Sequence, residues 1–290
     1  MHLASEYVRI AEEEHPFILH NLLPASGAMN IMGAPKMGKS FLALQLAEAI
    51  ANPERADFLG IPIAAHGRVL YVQLDTSRRI WGKRIRDLWS QPSLFSPSLD
   101  FSRVWIIDKE DVPGFDLFNT VDYRWLNYTL QASEINPLVV IFDVLREVYQ
   151  GNENDNSILR KVISRLEEAV APAALVVLSH TRKTSSDRQR AEEEEDSMEV
   201  NRGSSYLNGR MDALLKLTRN RIFIESRTDE RTNISVTQNP SGFWVNIADT
   251  KPSENSAKVT TSGVVLPVSP VVLPSSRPVA TPAPRGRFQE

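Results

Sequence analysis

The segment that most restricts the possible fold runs Gly33-Ala34-Pro35-Lys36-Met37-Gly38-Lys39-Ser40 and continues into Phe41. Its spacing is G-x-x-x-x-G-K-[ST], and its flanks agree. The apolar run Met29–Met32 reads as a strand before it, and Phe41–Ala51 as an amphipathic helix after it. Strand, glycine-bounded loop and helix in that order make an anion cradle. Gly33 and Gly38 let main-chain N–H groups close around phosphates, and Lys39 reaches the β and γ oxygens. The Ser40 hydroxyl ligates Mg2+ at a helix N-terminus whose dipole favours anions. Gly33 through Phe41 are therefore the expected binding residues for ATP, with Ser40 on the Mg2+ side.

A second carboxylate is needed, because Mg2+ prefers octahedral oxygen coordination and keeps waters that an acid can hold. Leu138-Val139-Val140-Ile141-Phe142 reads as a buried strand ending in Asp143, where strand ends line a ligand crevice. Asp143 is the expected metal-side acid, and Asp108, after Val104–Ile107, is the second candidate. A further strand ends at Leu74-Asp75, between the cradle and Asp143 in the chain. That extra strand is the arrangement of RecA-like and AAA-like phosphate-loop proteins, where a carboxylate on it polarises attacking water. Asp75 is the candidate base, one methylene shorter than the usual Glu. Its competing duty is to cap the helix beginning at Thr76-Ser77.

Around these motifs, short β-rich runs alternate with helical periods, which predicts an α/β chain with a mainly parallel twisted sheet flanked by helices. The expected strands are 29–32, 68–74, 104–107, 138–142, 174–179, 213–217, 221–225 and 243–245. The clearest helix is Ser157–Val170, with Ile158, Leu159, Val162, Ile163, Leu166 and Val170 on one face, Asp155 or Asn156 as cap and Pro172 as stop. The last strands follow one another without a helix, which predicts an antiparallel edge at the C-terminal side.

The 290 residues are 42% hydrophobic and 24% charged, a globular balance, and the absence of cysteine excludes disulfides, thiolate metal sites and thiol nucleophiles. The longest apolar run, Ala173–Leu178, is far short of the roughly 20 residues a membrane span needs, and Glu6, Glu12, Glu13 and Glu14 do not suit a signal peptide. A cytoplasmic protein without a membrane partner is expected. The formal charge is −3, and residues 251–290 carry more cations than anions, so the rest is more acidic still. Any nucleic-acid contact must then be local. The expected organisation is an N-terminal extension over 1–14, one domain over 15–250, and a Pro/Ser/Val-rich disordered tail over 251–290 that either docks a partner or merely solubilises.

The ordered set of motifs resembles the plasmid RepA-type hexameric helicase ATPases, related to the DnaB-type core. It comprises Leu23-Pro24, the cradle, Phe58-Leu59-Gly60, Gly67-Arg68-Val69-Leu70-Tyr71-Val72, Asp143, Gly151–Asn156, Ser179–Lys183, Arg202–Ser205 and Asp212–Leu217. The resemblance spans roughly residues 15–246. It implies a RecA-like fold, a ring homo-oligomer, a hexamer in such families, and ATP hydrolysis coupled to single-stranded DNA translocation or unwinding. It also implies that His180 is a γ-phosphate sensor, with a structural histidine as the alternative. Arg219 and Arg227 stand where such rings supply arginine fingers to a neighbour, against the alternative of solvated strand-end charges. Arg182, Lys183, Arg188 and Arg190 lie in the loop that faces DNA in these rings, beside the acidic block Glu192–Asp196. A replication partner for the tail is a further implication.

The basic run Arg78–Arg86 is expected to form a helix whose other face carries Ile80, Trp81, Ile85, Leu88 and Trp89, serving as a subunit interface or a solvated face. Two other readings compete. One is a nucleotide-switched adaptor with weak hydrolysis. The other is a phosphotransferase, for which the only compact lid candidate is that helix. No Asn-Lys-x-Asp motif for reading guanine is present.

Overall fold

The computed structural model describes residues 17–89, 100–132, 135–151, 155–181, 205–227, 231–240 and 242–247. The expected extension 1–14, the tail 251–290, the four loop cations Arg182, Lys183, Arg188 and Arg190, and the acidic block lie outside them. In chain order the strands are β1 (Phe17–Leu19), β2 (Leu23–Pro24), β3 (Ala28–Gly33), β4 (Asp57–Phe58), β5 (Ile61–Pro62), β6 (Val69–Gln73), β7 (Val104–Asp108), β8 (Val139–Asp143), β9 (Ala174–His180), β10 (Ala213–Leu217), β11 (Arg221–Ser226), β12 (Thr232–Gln238) and β13 (Trp244–Asn246). The helices are α1 (Lys39–Ala51), α2 (Arg78–Trp89), α3 (Thr120–Ala132), α4 (Asn156–Val170) and α5 (Ser205–Arg210), with a 3-10 turn over Leu145–Val148.

Nine strands form one sheet in the order β13-β12-β11-β10-β3-β9-β8-β6-β7. From β10 to β7 every pairing is parallel; from β10 to β13 every pairing is antiparallel. The expected fold class is what is found. The interior strands are continuous apolar runs because helices cover both faces. Met29, Ile31, Val69, Tyr71, Val139, Ile141, Val176 and Leu178 pack on one face with α1 and α2. Met32, Leu70, Val72, Val140, Phe142, Leu175 and Val177 pack on the other with α3 and α4. The two sets alternate along each strand, as the period of two demands.

Helix α1 is apolar nearly all round, with Leu42, Leu46 and Ile50 fully buried, since it lies between the sheet and other chain segments. Helix α4 begins one residue before the expected span, with Asp155 as its cap accepting from the Ser157 N–H at 2.8 Å. In α2, Trp81 and Leu88 are buried and Ile85 is half-buried, but Ile80 is 53% exposed. The expected apolar face was one residue too wide: positions 81, 85 and 88 share a stripe at 3.6 residues per turn, and 80 lies 100° off it. The strand β12 was not expected, and 243–245 is displaced by one residue to Trp244–Asn246.

Candidate functional site

Parallel pairing brings the C-terminal ends of β3, β9, β8 and β6 to one edge of the sheet. Gly33 is level with His180, and Gln73 with Asp143. The chain leaves β3 through the glycine-bounded loop and enters α1 there. Gly38, the N-cap of α1, has φ 87°, and a Cβ on it would meet the Gln238 side-chain amide at 2.7 Å, so both dihedral and space select glycine. Gly33 is needed for a different reason: a Cβ there would meet the Leu217 carbonyl oxygen at 2.7 Å. The first turn of α1 contains no acidic residue, and no side chain caps it. Its N–H groups and the positive end of its dipole are thus left for an anion.

Lys39 is buried beneath this loop. Its Nζ donates to the Gly33 and Ala34 carbonyls at 2.9 Å each and stands 3.1 Å from His180 Nδ1. Burial draws its pKa down to about 8, against the opposing charges of Asp143 and Asp75. The ammonium is held by neutral dipoles with no carboxylate bonded to it, an arrangement that an incoming polyphosphate would complete. Thr181, the residue after β9, donates its N–H to the Gly33 carbonyl at 3.2 Å and ties the sensor strand to the loop.

Asp143 lies beside the same loop. Burial raises its pKa, and hydrogen bonds from the Ser40 and Tyr71 hydroxyls partly offset that. The Tyr71 bond to Oδ2 is 2.9 Å. A hydroxyl and a desolvated carboxylate are hard oxygen donors of the kind that hold Mg2+ together with waters and phosphates, so Ser40 and Asp143 fit the ion. Among the described residues no cluster of three or more metal-ligating side chains forms. An ion that arrives on a nucleotide needs only one or two protein oxygens, since phosphates and waters fill its other positions.

The remaining expected residues divide sharply. Asp75 is exposed just past β6, and its charge is felt at both Lys39 and Asp143. It is not the cap of α2: the first helical bond, from Trp81 N–H, ends on the Ser77 carbonyl. Arg219 is exposed in the turn between β10 and β11, where Thr218 N–H donates to Arg221 O at 2.9 Å, at the same end of the sheet as Gly33. Arg227 is at the other end. Its guanidinium donates to the carbonyls of Gly209, Met211 and Arg210 at 2.7, 3.2 and 3.3 Å and lies 3.8 Å from Asp212, so its donors serve the end of α5. Asp108, the second metal-side candidate, is engaged by Arg78.

Two contributions were not expected from the sequence. Tyr71 supplies the hydroxyl on Asp143. Trp244, from β13, donates its indole N–H to the Gly38 carbonyl at 3.3 Å, while its main chain exchanges two hydrogen bonds with the Gln45 amide, 2.9 and 3.0 Å. The antiparallel edge therefore braces the loop from outside.

A strand-loop-helix cradle at the carboxyl edge of a mainly parallel sheet, with an acid on a further strand, defines a RecA-like phosphate-loop ATPase fold. A family model described as an AAA domain matches residues 10–186, and the chain belongs to that family: it is an AAA-type ATPase domain. The solved ATPase domain of a DnaB-like helicase is similar in structure, with a TM-score of 0.58 and 15% identity over 83% of this chain and 95% of that one. A KaiC-like protein of Pyrococcus horikoshii OT3 aligns with a TM-score of 0.47 and 14% identity over 79% of this chain and 93% of that one. No protein of curated function matches the sequence. No helix of the described residues is long and apolar enough to cross a membrane.

Proposed function

We propose that the chain is a Mg2+-dependent ATPase of the RepA helicase type. In this reading residues 15–250 form the ATPase domain, and identical subunits assemble as a hexameric ring. Hydrolysis drives movement along, or unwinding of, single-stranded DNA during replication or recombination in the cytoplasm. The observation that carries the nucleotide part is the uncapped start of α1 with buried Lys39 and the bonded Ser40–Asp143 pair around it. The ring and DNA parts rest on the ordered motifs of the sequence and on Arg219, which stands exposed at the cradle end of the sheet.

In the assigned roles, main-chain N–H groups of the loop and Lys39 bind the phosphates. Ser40 and Asp143 hold Mg2+, which neutralises developing charge when bound. Asp75 takes the proton of the attacking water, and His180 senses the γ-phosphate through its place beside Lys39. Arg219 reaches the neighbouring subunit's nucleotide, and Arg182, Lys183, Arg188 and Arg190 contact DNA. The tail recruits a replication partner. A second reading, a nucleotide-switched adaptor with weak hydrolysis, is favoured by one observation: the proposed base is a short aspartate lying exposed.

Steady-state ATP turnover with and without single-stranded DNA, paired with native mass, separates the two. DNA-stimulated turnover in a hexamer supports the helicase; tight binding without turnover selects the adaptor. Lys39→Ala is expected to lower turnover by about a thousandfold, because it removes the cation on the β and γ oxygens; near-normal turnover would reject the site. Arg219→Ala is expected to retain nucleotide binding and lose turnover, with activity returning in mixtures with Lys39→Ala protein. Absence of that complementation counts against a site shared between subunits.

A further inference from the structure

Tyr71 interrupts an otherwise aliphatic strand, Val69-Leu70-Tyr71-Val72, in the middle of the sheet. It is fully buried, and a buried phenol needs a partner for its hydroxyl. The partner is set by the pleat. Tyr71 is level with Ile141, and Gln73 with Asp143, so Asp143 is the diagonal neighbour of Tyr71 on the same face, two residues further along β8. The phenol spans that diagonal and donates to Asp143 Oδ2 at 2.9 Å. Its ring is set at the same time by Trp81 of α2, with centroids 5.1 Å apart and planes tilted by 42°. The Ser40 carbonyl lies 3.5 Å from the same hydroxyl, so the phenol sits at the junction of the phosphate loop and the acid strand.

Two hydroxyls bond the Asp143 carboxylate, and they are not equivalent. Ser40 is the first residue past Lys39, and its oxygen is a proposed cation ligand. Tyr71 is enclosed in the core and points nowhere else. When a cation claims the Ser40 oxygen, the Tyr71 bond remains as the constraint on where the carboxylate faces. Burial raises the Tyr71 pKa well above the ordinary phenol value, with the Asp143 charge and hydrogen bond adding to it, so the group is a proton donor at every pH at which the protein works.

We propose that Tyr71 is the positioning residue of the cation site: its hydroxyl pins one oxygen of Asp143 and thereby presents the other to a divalent ion held with the nucleotide. This rests on the nucleotide reading given above. Residues that orient a metal ligand from behind contribute about 10- to 100-fold to metal affinity.

The test uses the full chain and its Tyr71→Phe variant, which keeps the ring and deletes only the hydroxyl. Nucleotide binding is measured by calorimetry in EDTA, and Mn2+ binding to the complex with a non-hydrolysable ATP analogue by electron paramagnetic resonance. Tyr71→Phe is expected to bind nucleotide in EDTA within about twofold of wild type, and Mn2+ about 10- to 100-fold more weakly. Equal Mn2+ affinity in the two proteins overturns the proposal. Trp81→Phe alters the packing of the phenol ring without touching the bond and is expected to leave Mn2+ affinity unchanged; an equal loss there would assign the effect to packing and also overturn it. If the wild type binds no nucleotide with or without the metal, the nucleotide reading fails first, an outcome distinct from failure of Tyr71 alone.

Discussion

Two aspartates end strands on either side of β6 at the same level. Asp108 of β7 and Asp143 of β8 are both in register with Gln73, and both are almost fully buried. Their partners differ in kind. Asp108 accepts from the Arg78 guanidinium and from the Glu110 N–H, at 2.9 and 2.8 Å. Burial pushes its pKa up, but the arginine and the main-chain N–H groups outweigh that and hold it below the usual carboxylate range. Asp143 is bonded by two hydroxyls, and burial leaves its pKa raised. A carboxylate given its own cation has its charge already answered and is confined to structural work. One given neutral donors keeps its negative field for a cation from outside. The same contrast separates Lys39, held by carbonyls at the cradle, from Arg227, whose donors are saturated at the far end of the sheet.

Substituting each aspartate with asparagine puts this contrast under the greatest strain. Asp143→Asn is expected to lower Mg2+-dependent turnover by about 100- to 1000-fold, since it removes the charge that holds the ion. Asp108→Asn is expected to leave turnover per folded molecule within about threefold, because its charge is already answered by Arg78. It should instead lower Tm by about 2–4 °C, a modest loss because the arginine of the pair is half exposed and water screens it. A large turnover loss in Asp108→Asn with Asp143→Asn near normal would exchange the two roles.

The difference between these aspartates was only partly legible in the sequence. A strand ending in Asp can be recognised from its apolar run, and β8 and β10 lie where alternation and length put them. What cannot be recognised is which cation, if any, reaches the carboxylate. Arg78 meets Asp108 across 30 residues of chain, Tyr71 meets Asp143 across 72, and Gln45 meets Trp244 across 199. The cradle was legible because Gly33 to Ser40 are contiguous and local sterics suffice. Strand β12, Thr-Asn-Ile-Ser-Val-Thr-Gln, escaped because only Ile234 and Val236 are apolar and most of its side chains face solvent. Arg227 was placed by chain order alone, and order does not say that an antiparallel hairpin carries it back to the far end of the sheet. For Tyr71 a signal did exist: a phenol inside a buried aliphatic strand requires an acceptor nearby.

The smallest effect is the most discriminating, because the two aspartates should respond to acid with opposite sign. Unfolded, each takes up its proton near the ordinary value of about 3.9. Folded Asp108 protonates at lower pH, so between those two values the unfolded chain binds more protons and stability falls as acid is added. Its contribution is fully present above about pH 5. The gap in Tm between wild type and Asp108→Asn is therefore expected to hold from about pH 7 to 5 and to narrow towards about pH 3. Folded Asp143, in EDTA, protonates at higher pH than the unfolded chain, so acid relieves the cost of its buried charge and stability gains as the pH falls through the raised value. Against Asp143→Asn, the wild type should then improve on acidification. Parallel slopes in the two comparisons would mean that both carboxylates are answered alike, and the distinction between a structural and a cation-holding aspartate on neighbouring strands would fail.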